Sequence, residues 1–111
     1  MKDVIVTGGR DFLDYECVKS VLQLFDIGLL IQGAATGADA LAKRYAIEHN
    51  VPFEDVPAQW SKYGNSAGPI RNIQMLEKFP NAVVIAFPGG RGTANCISEA
   101  RKRHMIVLEV K

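Results

Sequence analysis

Ala86-Phe87-Pro88-Gly89-Gly90-Arg91-Gly92-Thr93 is the stretch on which the fold turns. An apolar run from Ala82 through Val83, Val84 and Ile85 to Phe87 leads into three closely spaced glycines, and a helical pattern follows. The spacing predicts a buried strand, a tight turn and the start of a helix. Glycine lets a backbone approach a ligand closely, and the first turn of a helix leaves N–H groups unpaired at its positive end. The loop therefore has the makings of an anion cradle, although each glycine alone is equally compatible with a plain strand-to-helix turn.

Working outward, the same grammar recurs. Val4-Ile5-Val6 runs into Thr7-Gly8-Gly9, with Arg10 and Asp11 just beyond. Val18, Val21, Leu22 and Phe25 then recur at helical spacing up to Gly28. Leu29-Leu30-Ile31 predicts a second strand, ending in Gln32-Gly33-Ala34-Ala35. Thr36 and Asp39 have the spacing of a capping box with Asp in place of Glu, and Ala38, Leu41, Ala42, Tyr45 and Ala46 form the stripe of the helix that follows. Phe53 to Val56 predicts a short edge strand flanked by prolines. Pro57 to Gly68 reads as a long loop carrying Trp60 and Tyr63, a length that is often functional. Pro69 opens a helix with Ile70, Ile73 and Leu76 toward the core. The last helix spans about Thr93 to Arg103, burying Ala94, Ile97 and Ala100, and Met105 to Val110 closes the chain as a strand.

Five strands alternating with four helices predict one α/β domain over residues 1–111, with a mostly parallel sheet in the order 3-2-1-4-5 and helices on both faces. In such a sheet ligands bind at the carboxyl ends of the strands, where the strand order reverses. Three strands end there in glycine-bearing turns: Gly8 and Gly9, Gly33 and Gly37, and Gly89, Gly90 and Gly92.

Composition narrows the function classes. The chain has 111 residues, 48% of them hydrophobic, and a formal net charge of +1, so no global charge favours nucleic acid. No apolar run reaches the roughly 18–20 residues of a membrane span, and the N-terminus lacks the apolar length of a signal peptide. A cytoplasmic protein with reduced thiols at Cys17 and Cys96 is expected. No metal-ligand spacing or catalytic triad can be read. The Gly33 loop lacks the Gly-Lys-Ser/Thr ending of a Walker A loop, and the Gly8 turn lacks the third glycine of the dinucleotide fingerprint.

Arg71 is the charged residue that best fits a ligand role, because a cation at a helix start is unfavourable unless an anion sits nearby. Arg10 and Arg91 carry a weaker form of that argument. Asp39 fits either a helix N-terminal charge or a ribose contact. Glu99 fits a solvated helix face or a ribose contact from one turn below the glycine loop. Trp60 and Tyr63 fit either base stacking or pinning of their loop. The Arg101-Lys102-Arg103-His104 run is what a helix C-terminus favours.

Gly8-Gly9-Arg10-Asp11-Phe12, Gly33-Ala34-Ala35-Thr36-Gly37-Ala38-Asp39, Trp60 with Ala67-Gly68-Pro69-Ile70-Arg71-Asn72, and Phe87 through Thr93 together closely resemble the YspA/YpsA-related branch of the SLOG superfamily. The resemblance covers nearly the whole chain. It implies a Rossmann-like fold and a pocket for a nucleotide or nucleotide-derived ligand, with no required cofactor; many relatives form dimers, but no helix here shows an extra apolar stripe, so a homo-oligomer stays open. Related LOG phosphoribohydrolases cleave base from ribose 5-monophosphate with an arginine and the glutamate of a Pro-Gly-Gly-x-Gly-Thr-x-x-Glu motif. Here the arginine corresponds to Arg71, but the glutamate position holds Cys96. A thiol does not replace a carboxylate in such chemistry near neutral pH, which leaves Glu99 or Asp39 as the partner of Arg71 for an enzyme.

The expectation is thus a nucleotide-binding domain of the sensing or sequestering kind. Gly89, Gly90, Arg91, Gly92 and Thr93 would hold a phosphate, with Gly8, Gly9 and Arg10 opposite. Arg71 would pair the phosphate, Asp39 or Glu99 would contact the ribose, and Trp60 would cover the base. The alternatives are a phosphoribohydrolase or N-glycosidase and, by analogy with DNA-processing protein A, a single-stranded DNA binder that the near-neutral charge disfavours.

Overall fold

In the computed structural model, which describes residues 1–111, β1 (Lys2–Thr7) lies at the centre of a five-stranded sheet. β2 (Ile27–Gln32) and β3 (Phe53–Asp55) extend it on one side, β4 (Val83–Ala86) and β5 (Val107–Glu109) on the other. All four pairings are parallel, and the order is β3-β2-β1-β4-β5 as the alternating pattern predicts. Val4 pairs with Leu30 on one flank and with Val83 on the other.

Side chains alternate across a strand, so a sheet covered on both faces needs continuous apolar runs. Val4, Val6, Leu30, Val83, Ile85 and Phe87 face one core, closed by α1 (Tyr15–Leu22) and α2 (Ala38–Glu48). Ile5, Ile31 and Val84 face the other, closed by α4 (Ala67–Lys78) and α5 (Arg91–Lys102). Between β3 and α4 lies α3 (Trp60–Tyr63), a single turn followed by a 3-10 turn at Gly64–Ser66.

The structure corrects several local expectations. α1 stops at Leu22, and Gly28 lies inside β2 rather than ending the helix; Phe25 still packs on the core from the intervening turn. The Thr36–Asp39 capping box does not form. Gly37 is the N-cap of α2, Thr36 Oγ1 donates to the Arg10 carbonyl, and Asp39 turns back toward its own loop. Pro57–Gly68 holds two short helical turns, because local i to i+3 and i+4 bonds satisfy the backbone where apolar periodicity is lacking. α4 buries Ala67, Asn72, Met75 and Leu76, with Ile70 and Ile73 only half-buried. α5 begins at Arg91 and buries Thr93, Cys96 and Ala100, while Ala94 is exposed and Ile97 half-buried. Both shifts have one origin: α4 and α5 pack against each other as well as on the sheet, which rotates their stripes toward that mutual contact.

Candidate functional site

The carboxyl ends of β1 and β4 are drawn together by backbone bonds. Phe87 N–H donates to the Thr7 carbonyl at 2.9 Å, and Gly9 N–H donates to the Pro88 carbonyl at 2.9 Å. Such proximity requires glycine: a Cβ at Gly9 would stand 2.9 Å from the Pro88 oxygen. Between these loops and the start of α4 opens a cleft of about 980 Å³, at the upper end of the usual range for ligand sites.

The residues expected from sequence converge there. Gly8, Gly9, Arg10, Asp39, Trp60, Arg71, Gly89, Gly90, Arg91, Gly92 and Thr93 all line the cleft. Gly33 and Gly37 stand behind its wall. The Gly33 carbonyl accepts from Arg71 Nη1 at 2.7 Å, and Gly37 packs against the backbone of Gly9 and Arg10. Glu99 is outside the cleft, tied to Arg103 at 2.9 Å and Lys102 at 3.0 Å. Its carboxyl is held below the usual value, first by the Arg103 hydrogen bond and then by Lys102.

The N-terminus of α5 faces the cleft with Gly90 as N-cap and no side-chain cap; the first intrahelical bond there runs from Ala94 N–H to the Gly90 carbonyl. The N–H groups of Arg91, Gly92 and Thr93 thus have no protein acceptor. Thr93 is only 7% exposed, and its hydroxyl, with no protein partner, reaches the cleft.

Arg71 is held along one edge of its guanidinium. Nε donates to Asn72 Oδ1 at 3.0 Å and Nη1 to Gly33, leaving Nη2 without a protein acceptor. Asn72 is itself fixed, donating from Nδ2 to the Gly92 carbonyl at 3.2 Å and to Asn95 Oδ1 at 3.0 Å. One buried amide therefore ties the arginine to the first turn of α5. Sequence reasoning placed Asn72 beside Arg71 without assigning it this part; its signal was a polar residue at a position of α4 that packing makes internal. Thr7, Asp11, Phe12, Asn65 and Asn95 also line the cleft, Asp11 beside Arg10 at the strand end where the sequence places it, and none of them has a ligand role assigned from sequence.

Asp39 is 6% exposed, and its Oδ2 accepts from Gly33 N–H at 3.2 Å and Ala35 N–H at 3.3 Å. Burial raises its carboxyl above the usual value, against the lowering by those N–H groups and by Arg71 and Arg10. Oδ2 is thus spent on shaping the β2–α2 loop, while Oδ1 has no hydrogen-bond partner in the protein. Across the mouth, the Arg10 guanidinium lies 5.3 Å from the centre of the Trp60 ring.

Cys96 sits beneath the cleft floor at 0% exposure, and burial pushes its thiol up from 9.0 to about 11. A thiolate is the reactive form, so one thiol per native chain, Cys17, is expected to react with a chromogenic disulfide at pH 8. Cys96 should react only after unfolding. Simultaneous reaction of both would contradict the packing of α5. Because the raised value favours the thiol in the folded state, this group's contribution to stability is present below pH 9 and is lost as pH rises through about 11.

An open parallel sheet with a cleft at its β1–β4 switch point defines a Rossmann-like α/β domain, and the comparisons specify it further. A sequence profile described as "YspA, cpYpsA-related SLOG family" matches residues 2–63. The chain is 35% identical to the Gene 61 protein of Mycobacterium phage D29, over 97% of this chain and 95% of that protein. The chain belongs to the YspA, cpYpsA-related SLOG family. The X-ray structure of TM1055, a structural-genomics target, superposes with a TM-score of 0.71 over 96% of this chain and 72% of its own, at 22% identity, and so shares the fold. No helix is long and apolar enough to cross a membrane.

Proposed function

We propose that the protein binds a nucleotide or nucleotide-derived ligand, its phosphate seated between the first turn of α5 and Arg71, as a sensor or sequestering domain. The observation that carries this reading is the state of the cleft arginines. The arginines elsewhere, Arg44, Arg101 and Arg103, all pair with carboxylates, whereas Arg10, Arg71 and Arg91 enter none of the ion pairs. Three unpaired arginines around uncapped helical N–H groups and a free threonine hydroxyl form a site short of an anion. Membership of the SLOG family supports a nucleotide-related ligand. Trp60, 47% exposed at the mouth, offers a stacking face for the base, and Arg10 already occupies one side of it.

Trp60 is the sole tryptophan, so the protein carries its own reporter. Titration of nucleoside mono- and diphosphates is expected to change its emission saturably, with micromolar to millimolar midpoints that rise with salt. Chromatography of each mixture then separates binding from turnover. Ligand returned intact supports a binding domain. Release of free base would favour a phosphoribohydrolase, with Asp39 rather than Glu99 as the carboxylate beside Arg71. No emission change and no retained ligand across the panel would reject the nucleotide reading.

A further inference from the structure

A second, smaller hollow of about 330 Å³ opens on the far side of the Pro88–Gly90 loop, above the ends of β4 and β5. Its body is apolar, made by Ala94, Ile97 and Val110, with Glu109 and Lys111 at the rim. Glu109 Oε2 is held by Arg101 at 2.7 Å. The hollow and the main cleft share Pro88, Gly89, Gly90 and Thr93 as a common wall. At Gly90 that wall is backbone alone, and a Cβ built there would meet nothing within 4 Å. A phosphate seated on the α5 N–H groups therefore sits beside a low, open saddle with an apolar recess beyond it.

We propose that the hollow is a subsite for the far end of a bipartite ligand: a nucleoside diphosphate whose distal phosphate carries a second ring. The nucleoside occupies the Trp60 side, the pyrophosphate crosses the α5 N-terminus over Gly90, and the second ring packs on Ile97, Ala94 and Val110. The recess is at the small end of ligand-site volumes, about 300 Å³, which suits a single sugar or base ring rather than a second nucleotide in full. Its apolar floor with a charged rim fits a ring that is flat or hydrophobic on one face and hydroxylated at its edge. This inference rests on the nucleotide reading of the main cleft.

The experiment compares ADP with ADP-ribose and UDP with UDP-glucose on the intact chain, read by Trp60 emission, so that neither base is presumed. In at least one pair the ring-bearing ligand is expected to bind about tenfold more tightly, from apolar area buried in the recess. Ala94 lines the hollow and not the cleft, and it is exposed on α5. Ala94→Phe should therefore fold, leave ADP or UDP binding unchanged, and abolish the gain from the second ring. Ile97→Ala, which strips the floor without filling the space, should reduce that gain by a smaller factor. Equal affinity within both pairs, or a gain that survives Ala94→Phe, would overturn the subsite while the nucleotide cleft stands. Binding of none of the four ligands would overturn both.

Discussion

Arg71→Ala is expected to weaken nucleotide binding by about 10- to 150-fold, the equivalent of the 1.5–3 kcal/mol typical of a hydrogen bond to a charged group. The size follows from preorganisation. With Nε on Asn72 and Nη1 on Gly33, the guanidinium meets the ligand in a fixed pose, and little side-chain entropy is left to lose on binding. Arg71→Lys should recover only part of the loss, since an ammonium cannot hold both anchors and still present a free donor to the cleft. Folding should suffer by about 1–3 kcal/mol, because the two anchors lost leave the Asn72 and Gly33 oxygens without their donor. Titration of Trp60 emission measures the first quantity and thermal melting the second. Unchanged affinity in a folded Arg71→Ala protein would remove the arginine from the ligand site.

Gly37→Ala should give the largest loss of stability of any single change at the site, about 3–5 kcal/mol, within the range reserved for severe, mechanistically specific mutations. Gly37 has φ +72°, which disfavours any residue with a Cβ, and that atom would sit 2.5 Å from the carbonyl carbon of Arg10 and closer still to the Gly9 oxygen. The Gly9 carbonyl cannot retreat freely, since it accepts from the Ala38 N–H at 3.1 Å. Gly64 provides the comparison. Its φ is +56° but its Cβ would meet nothing within 4 Å, so Gly64→Ala carries the backbone strain alone, about 1–3 kcal/mol. Urea unfolding of the two variants separates collision from strain. Equal midpoints would mean that the β1 and β2 loops do not press on one another.

The elements readable in advance were those whose pattern is local. Val4-Ile5-Val6 and Val83-Val84-Ile85 are buried on both faces and read as continuous apolar runs, and the glycines that follow them mark the switch point without any three-dimensional information. The cleft was therefore legible as a set of loops. What could not be read was rotation and reach. The turn of α4 that puts Asn72 inside and leaves Ile70 and Ile73 half-buried is decided by its packing on α5, a partner distant in sequence. Glu99 and Asp39 looked alike as acidic helix residues, yet one is spent on Arg103 and Lys102 while the other is folded back under the cleft wall. Trp60 lay in a stretch without periodicity, where single turns held by their own backbone bonds leave no apolar signature.

The central place of β1 also shapes how the molecule can be made. Its two neighbours lie far apart in the chain: β2 follows after one helix, but β4 begins only at Val83. Parallel strands have no hairpin to nucleate them, and closing so long a loop must precede the contacts that reward it, so folding is dominated by non-local pairing and is correspondingly slow. A nascent chain that has emerged only through α4 holds β1 with one flank bare and Val4, Ile5 and Val6 partly uncovered, an edge open to pairing with other chains. The stretch from Lys2 to Tyr63 that carries the family signature is for this reason not a folding unit. The cleft can exist only after β4 has docked, so any ligand bound there would stabilise the finished domain and could not template its early assembly.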